Sequence, residues 1–319
     1  MFQSFLLTKL TTTAFLVGSL LSSAQAQEPT MAAAPTQTTP LVPIPNEGLS
    51  AMAWVQSSVE AKVAAKQAYY LAARQLDIAL RDKKWSAAIE QSAGFGKLPP
   101  AIILDLDETV LDNSFYMARL IRDNTQYTDE SWAQWTAQAD APALQGAIKF
   151  LNYAASKGVN IFYISNRPSD EEAATRENLR RLGCPLQGPE DHILLVGEKP
   201  DWPSDKTSRR RLIAQKYRVL LLVGDDLNDF VSARSLTLEQ RLALYNKYND
   251  YWGERWIVLS NPTYGSWEDA LYGFNYDLPR AEMLRRKYDV LQYREPLPAT
   301  TLPAVPTAPI LPPIPPASP

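Results

Sequence analysis

Four short polar clusters, set at the ends of apolar runs, constrain this chain more than any other feature. Ala101 to Leu104 runs into Asp105-Leu106-Asp107-Glu108-Thr109, and Val159 to Ile164 runs into Ser165-Asn166-Arg167. Lys206 lies in Ser204-Asp205-Lys206-Thr207, and Val219 to Val223 runs into Gly224-Asp225-Asp226-Leu227-Asn228-Asp229-Phe230. Short runs rich in β-branched residues and closed by functional groups read as buried parallel strands. Ligands on such sheets bind at the carboxyl ends of the strands. One sheet edge would therefore gather at least four acidic groups, a hydroxyl and a lysine. Without a divalent cation such a cluster is electrostatically prohibitive; with one it is suited to handling phosphate.

The rest of the folded body alternates strands with helices, which indicates an α/β fold, a doubly wound parallel sheet with right-handed crossovers. Further strands are expected near Leu194 and over Trp256 to Ser260, and helices from Pro168 and near Thr207 and Leu238. Ser50 to Asp82 contains no Gly or Pro; Val55, Val59 and Val63 step by four, and Leu76 and Leu80 repeat the interval. That spacing predicts one long amphipathic helix. Between the first strand and the helix feeding the second, the segment near 113–141 carries Tyr116, Tyr127, Trp132 and Trp135. An insertion at that edge would hang over the site as a small helical cap.

The expected domain plan is a signal peptide over 1–26, a flexible lead over 27–47, one phosphatase-like domain over 48–295 and a disordered tail over 296–319. Lys9, the apolar stretch Thr11 to Leu21 and the small-residue triplet Ala24-Gln25-Ala26 form the signal pattern. The apolar stretch is shorter than the roughly 20 residues a membrane span needs, so cleavage near Ala26 and a periplasmic or secreted product without a stable anchor are expected. The tail holds ten prolines and no charged residue, a composition that forms neither helix nor central strand.

A net charge of -3 supplies no general attraction for a nucleic-acid polymer or an anionic membrane. The cluster Arg209-Arg210-Arg211 is expected on a solvated helix surface. Cys184 is the sole cysteine, so no intramolecular disulfide forms and a small buried residue is expected there. His192 is the sole histidine, which rules out a phosphohistidine mechanism with a second imidazole and any multi-imidazole metal site; a structural role is expected for it.

A carboxylate can attack phosphorus directly and split one difficult hydrolysis into two easier steps. The leaving oxygen then needs a proton, which a second carboxylic acid can supply and later reclaim from water. Asp105 and Asp107, one residue apart at a strand end, fit that division of labour. Asp225 and Asp229, together with Asp105, offer the hard oxygen ligands that Mg²⁺ takes. Asp226 and Asn228 also suit helix capping. Ser165 and Asn166 can hydrogen-bond a phosphoryl oxygen, and Lys206 supplies a point charge for phosphate and a restraint on Asp105.

In this order the clusters resemble the four motifs of the haloacid dehalogenase superfamily. More narrowly, Ile103 to Asn113 and Val223 to Phe230 resemble the class C bacterial non-specific acid phosphatases, a lipoprotein-type, four-aspartate family acting on 5′-nucleotides and other monoesters. The resemblance covers about Trp54 to Tyr288. It implies Asp105 as nucleophile, Asp107 as acid/base, and Mg²⁺ held by Asp105, the Asp107 carbonyl and Asp225, with Asp229 behind them or acting through water. It also implies Tyr264 and Trp132 as an aromatic pair sandwiching a nucleobase or aryl group; stacking would tolerate varied leaving groups. For Trp132 a core role stands equally open. Two departures from the family are visible: Asp226 replaces the usual Asn, and a lipid-bearing cysteine after the apolar stretch is missing.

The sequence thus predicts an exported, Mg²⁺-dependent phosphomonoesterase for small phosphate esters, favoured at acid pH because Asp107 must carry a proton when it meets the leaving oxygen. Two other readings stay open: phosphotransfer to an alcohol acceptor, and a non-catalytic binding protein on the same scaffold. The natural substrate and the oligomeric state are undetermined at this level, since the long helix could pack on its own domain or across a homodimer.

Overall fold

Strands β1 (Pro100–Leu104), β2 (Asn160–Pro168), β3 (Ile193–Val196), β4 (Arg218–Gly224) and β5 (Trp256–Val258) form one parallel sheet in the order β3-β2-β1-β4-β5. The computed structural model describes residues 46–186 and 190–294. The expected signal peptide, the lead as far as residue 45 and the proline-rich tail lie outside the described residues. Around the sheet run α1 (Leu49–Ser57), α2 (Val59–Arg81), α3 (Ser114–Asp123), α4 (Asp129–Thr136), α5 (Ala147–Ser156), α6 (Glu172–Arg181), α7 (Thr207–Lys216), α8 (Leu238–Lys247), α9 (Ser266–Asp269) and α10 (Arg280–Asp289). Among the described residues no helix is long and apolar enough to cross a membrane.

The strand order sets the site. β1 is central, so the strand that delivers Asp105 lies between those that deliver Ser165 and Asp225. Leu104 is level with Tyr163 of β2 and Val223 of β4, and the Asp105 N–H donates to the Val223 carbonyl at 2.9 Å. All three polar clusters therefore emerge at one carboxyl edge.

Alternation along the strands divides the core. Ile102 and Leu104 point to the face covered by α2 and α5, while Ala101 and Ile103 point to the face packed with Ile213 and Ala214 of α7, Phe230 and Trp256. Full burial of each such Ile or Leu contributes about 1.5–3 kcal/mol. β2 runs four residues beyond the apolar stretch that marks it in the sequence. Its alternation buries Ser165 and Arg167 and exposes Asn166.

The single long N-terminal helix is in fact two. Ser58 is extended (φ -80°, ψ 145°), and its hydroxyl accepts from the Ala61 N–H at 3.0 Å, capping α2 after α1 has ended. A serine that satisfies a free helix N–H this way competes with helix continuation. The expected valine stripe is also misplaced: Val59 is 68 % and Val63 41 % exposed. The buried face of α2 is Ala65, Tyr69, Ala72, Leu76 and Ala79, in which three alanines alternate with two large side chains and let the helix lie close to α5. At Gly146, a side chain would meet Tyr69 Cβ at 3.1 Å and the backbone is left-handed (φ +98°), so close approach and conformation both require glycine.

Cys184 is buried, and burial pushes its thiol up to about 12. His192 is structural: its Nδ1 pairs with the Ile161 carbonyl at 2.7 Å and its ring stacks on Phe162.

Candidate active site

Asp105, the first residue past β1, is buried with its carboxylate against the Lys206 ammonium. Lys206, at the start of α7 and itself buried, also donates to Asp229 Oδ1 at 2.7 Å. Asp225 follows β4, where its Oδ1 accepts from Thr109 Oγ1 at 3.2 Å and its Oδ2 from Asn261 Nδ2 at 2.9 Å. Carboxylate oxygens of Asp105, Asp225 and Asp229 all lie within 4.8 Å of one another. Gly224 makes this possible, because a Cβ there would sit 2.1 Å from Asp229 Oδ2.

Two buried carboxylates, Asp105 and Asp229, thus share one ammonium, and the half-buried Asp225 beside them has only neutral partners. Burial is the main force on all of them: it pushes Asp105 up to about 7 against the opposing pull of Lys206, and lifts Asp229 above and Asp225 well above the usual carboxylate range. Such a charge deficit among closely spaced hard oxygen donors fits a divalent cation such as Mg²⁺.

Asp107 sits differently. Burial pushes its carboxyl up, but the Arg167 guanidinium, with help from Asn113 and Ser165, holds it below the usual range. Its Oδ1 accepts from Arg167 Nη2 at 2.7 Å, Asn113 Nδ2 at 2.9 Å and Arg167 Nε at 3.0 Å; Oδ2 accepts from Ser165 Oγ and Arg167 Nε, both at 3.2 Å. With 19 % of its side chain exposed, it remains accessible to a ligand. A tight turn aims it: the Leu106 carbonyl accepts from Val110 and Leu111, and Glu108 adopts the left-handed region (φ 56°), strain of the kind stored at functional sites.

The remaining candidates surround these two. Ser165 touches Asp107 and accepts from the Arg167 N–H at 3.1 Å. Asn166 is exposed and its Oδ1 accepts from Arg209 at 2.9 Å, so only its amide nitrogen can serve an anion. Tyr264 lies half-buried on a loop gathered by Asn261. Trp132 sits in the core of the helical insertion with Tyr116 and Leu120, and the Arg167 guanidinium lies 5.6 Å from its ring. Asp226 is not one of the three clustered carboxylates. It caps the turn at Asn228 and accepts from the N–H and hydroxyl of Ser266 at 2.7 and 2.6 Å, so its extra charge ties the Asp229 turn to α9.

The basic cluster on α7 corrects the sequence expectation. Only Arg211 is exposed; Arg209 and Arg210 are fully buried. Arg209 donates to the carbonyls of Ser165, Leu194 and Pro203, tying β2 and β3 to the loop before α7. Arg210 pairs with the buried Glu90 at 2.8 Å and donates to the carbonyls of Asn228 and Asp229. These guanidiniums take up backbone carbonyls that turn inward where the motif loops leave the sheet. Besides them, the sequence reasoning missed the roles of Arg167, Asn113, Thr109 and Asn261. Alternation from Ser165 would have pointed to Arg167; the others carried no signal apart from their proximity to the motifs.

Comparison with known proteins agrees with this geometry. Residues 11–267 match the model of the haloacid dehalogenase superfamily, subfamily IIIB (acid phosphatase). The chain is similar to the class C acid phosphatase from Bacillus anthracis, with 37 % identity and a TM-score of 0.69 over 78 % of this chain and 98 % of that one. A structure of the Bacillus anthracis protein with tungstate bound superposes likewise, at 36 % identity and a TM-score of 0.68. Acid phosphatase 1 of Solanum lycopersicum is 24 % identical over 137 residues, 41 % of this chain, and the match spans about half (52 %) of the tomato protein.

Proposed function

The chain belongs to the acid phosphatases of haloacid dehalogenase subfamily IIIB, and from this membership we propose that it is an exported, Mg²⁺-dependent phosphomonoesterase acting through an aspartyl-phosphate. The observation that carries the reading is the contrast between two carboxylates one residue apart: Asp105 in contact with Lys206 and the acidic cluster, Asp107 held by Ser165 and Arg167. An Asp105 oxygen attacks phosphorus, the bond to the leaving oxygen breaks, and Asp107 gives that oxygen its proton. Asp107 then takes a proton from water, whose oxygen attacks phosphorus and returns Asp105 as a free carboxylate. Ser165, the Asn166 amide nitrogen and Lys206 hold the phosphoryl oxygens.

Asp105, the Asp107 carbonyl, Asp225 and Asp229 would hold Mg²⁺, which offsets carboxylate repulsion and withdraws charge from the phosphoryl group. Because Arg167 holds Asp107 low, its protonated fraction grows only as pH falls, which supports an acid preference. The substrates are small phosphomonoesters, 5′-nucleotides and aryl phosphates among them, with Tyr264 as stacking surface and Trp132 bracing the insertion behind Arg167. The tungstate complex of the Bacillus anthracis relative supports a tetrahedral oxyanion as the ligand class. Export rests on the pattern Lys9, Thr11 to Leu21 and Ala24-Gln25-Ala26, and an intact mass starting at Gln27 checks it.

The test is hydrolysis of 4-nitrophenyl phosphate at mildly acidic pH, with Mg²⁺ and with chelator, beside Asp105→Asn. Turnover should require the metal and fall at least about 10³-fold in the variant. Undiminished turnover in Asp105→Asn would sink the covalent mechanism.

A further inference from the structure

The orientation of Asp107 is set from the helical insertion. Asn113, fully buried at the start of α3, donates from its amide nitrogen to Asp107 Oδ1 at 2.9 Å and to Glu108 Oε2 at 3.3 Å. Its amide oxygen accepts from Trp135 Nε1 on α4 at 2.8 Å, and its backbone N–H donates to Glu108 Oε1 at 2.9 Å. An indole N–H can only donate. Asn113 must therefore turn its oxygen to Trp135, and its NH₂ is left facing Asp107. With the amide flipped, a carbonyl oxygen would meet the carboxylate, acceptor against acceptor. Trp135 is in turn stacked on Tyr116 at 6.4 Å between ring centres, within the aromatic cluster that includes Trp132.

This arrangement distinguishes the two oxygens of Asp107. Oδ1 receives three donors at 2.7–3.0 Å, and Oδ2 only two, at 3.2 Å. A transferable proton belongs on the less committed oxygen. We propose that Asn113 and Trp135 are positioning residues that saturate Oδ1 and so present Asp107 Oδ2 as the proton-carrying atom toward the leaving oxygen, coupling the insertion to proton transfer. The inference rests on the reading of Asp107 as proton donor.

The test compares 4-nitrophenyl phosphate, whose leaving group needs little protonation, with an alkyl phosphate, whose leaving group needs it. Trp135→Phe keeps the ring and removes the donor; Asn113→Asp keeps the shape and removes the NH₂. Each should lower kcat/KM on the alkyl ester more than on the aryl ester, by roughly tenfold for Trp135→Phe and roughly a hundredfold for Asn113→Asp, no more than the range of about 10²–10⁴-fold that a general acid contributes. Leu120→Ala, which cuts the same cluster without touching the relay, should leave the ratio of the two substrates unchanged. The ratio is insensitive to a loss of folded protein. Equal losses on both esters in Trp135→Phe and Asn113→Asp would overturn the positioning role while leaving the phosphatase reading intact. A native chain that hydrolyses neither ester would overturn both.

Discussion

The two flanks of the site, separated by a single residue of β1's extension, solve opposite electrostatic problems. On one side Asp105, Asp225 and Asp229 crowd together, and among the described residues Lys206 is the one cation paired with the cluster, through Asp105 and Asp229. On the other Asp107 alone has a guanidinium, an amide and a hydroxyl. Burial acts on both, and partners decide the outcome: the crowded carboxylates rise and the well-served one falls. A deficit of positive charge is what a divalent cation and an incoming phosphate can use, whereas a fully partnered carboxylate is kept in one orientation.

Lys206→Met should produce the largest effect. It strips the shared ammonium from the buried carboxylates of Asp105 and Asp229, and removing one partner of a buried pair costs about 3–5 kcal/mol. Chemical denaturation in chelator should show that loss, and saturating Mg²⁺ should recover part of it. Equal stability of the variant and the native chain in chelator would contradict the charge deficit.

Arg167→Met breaks the other flank. Its cost should fall toward the lower end, about 3 kcal/mol, because Asp107 keeps some solvent and two neutral partners. Mg²⁺ should recover none of it; recovery would mean the two flanks are not separate.

A smaller effect lies in the pH dependence of the metal-free protein. Burial lifts Asp105 to about 7 from the roughly 3.9 of an unfolded chain, so the fold binds this proton more tightly than the unfolded state does. The stability it contributes is complete below the unfolded value and is lost as pH rises through about 7. In chelator, the Tm of the native chain minus that of Asp105→Asn should therefore fall between pH 4 and 7. With Mg²⁺ the fall should flatten, and a difference that rises with pH would reverse the assignment.

Much of this site was legible because strand ends announce themselves. Ala101 to Leu104, Val159 to Ile164 and Val219 to Val223 are short, apolar and followed by groups that cannot stay buried unpartnered, so a parallel sheet with one reactive edge followed. The N-terminal helices were less legible. An alanine-rich seam is a weak hydrophobic signal beside a row of valines, yet Ala65, Ala72 and Ala79 are buried and Val59 and Val63 are not. Close helix packing rewards small residues, which a hydrophobic-repeat count undervalues. The burial of Arg209 and Arg210 escaped for a related reason: a guanidinium is solvated by default, and backbone carbonyls from β2, β3 and the Asp229 turn, with Glu90 pairing Arg210, make its burial tolerable.

The sequence by itself determined the sheet, the identity of the acidic cluster and its place at the strand ends, because local periodicity and residue chemistry act over a few neighbours. Tertiary structure decided which partner, charged or neutral, each carboxylate meets. Arg167 reaches Asp107 across 60 positions, Lys206 reaches Asp229 across 23 in addition to meeting Asp105, and Asn261 reaches Asp225 across 36. Pairings at such separations depend on strand order and register, and on them depends which aspartate is left needing a cation and which is held still.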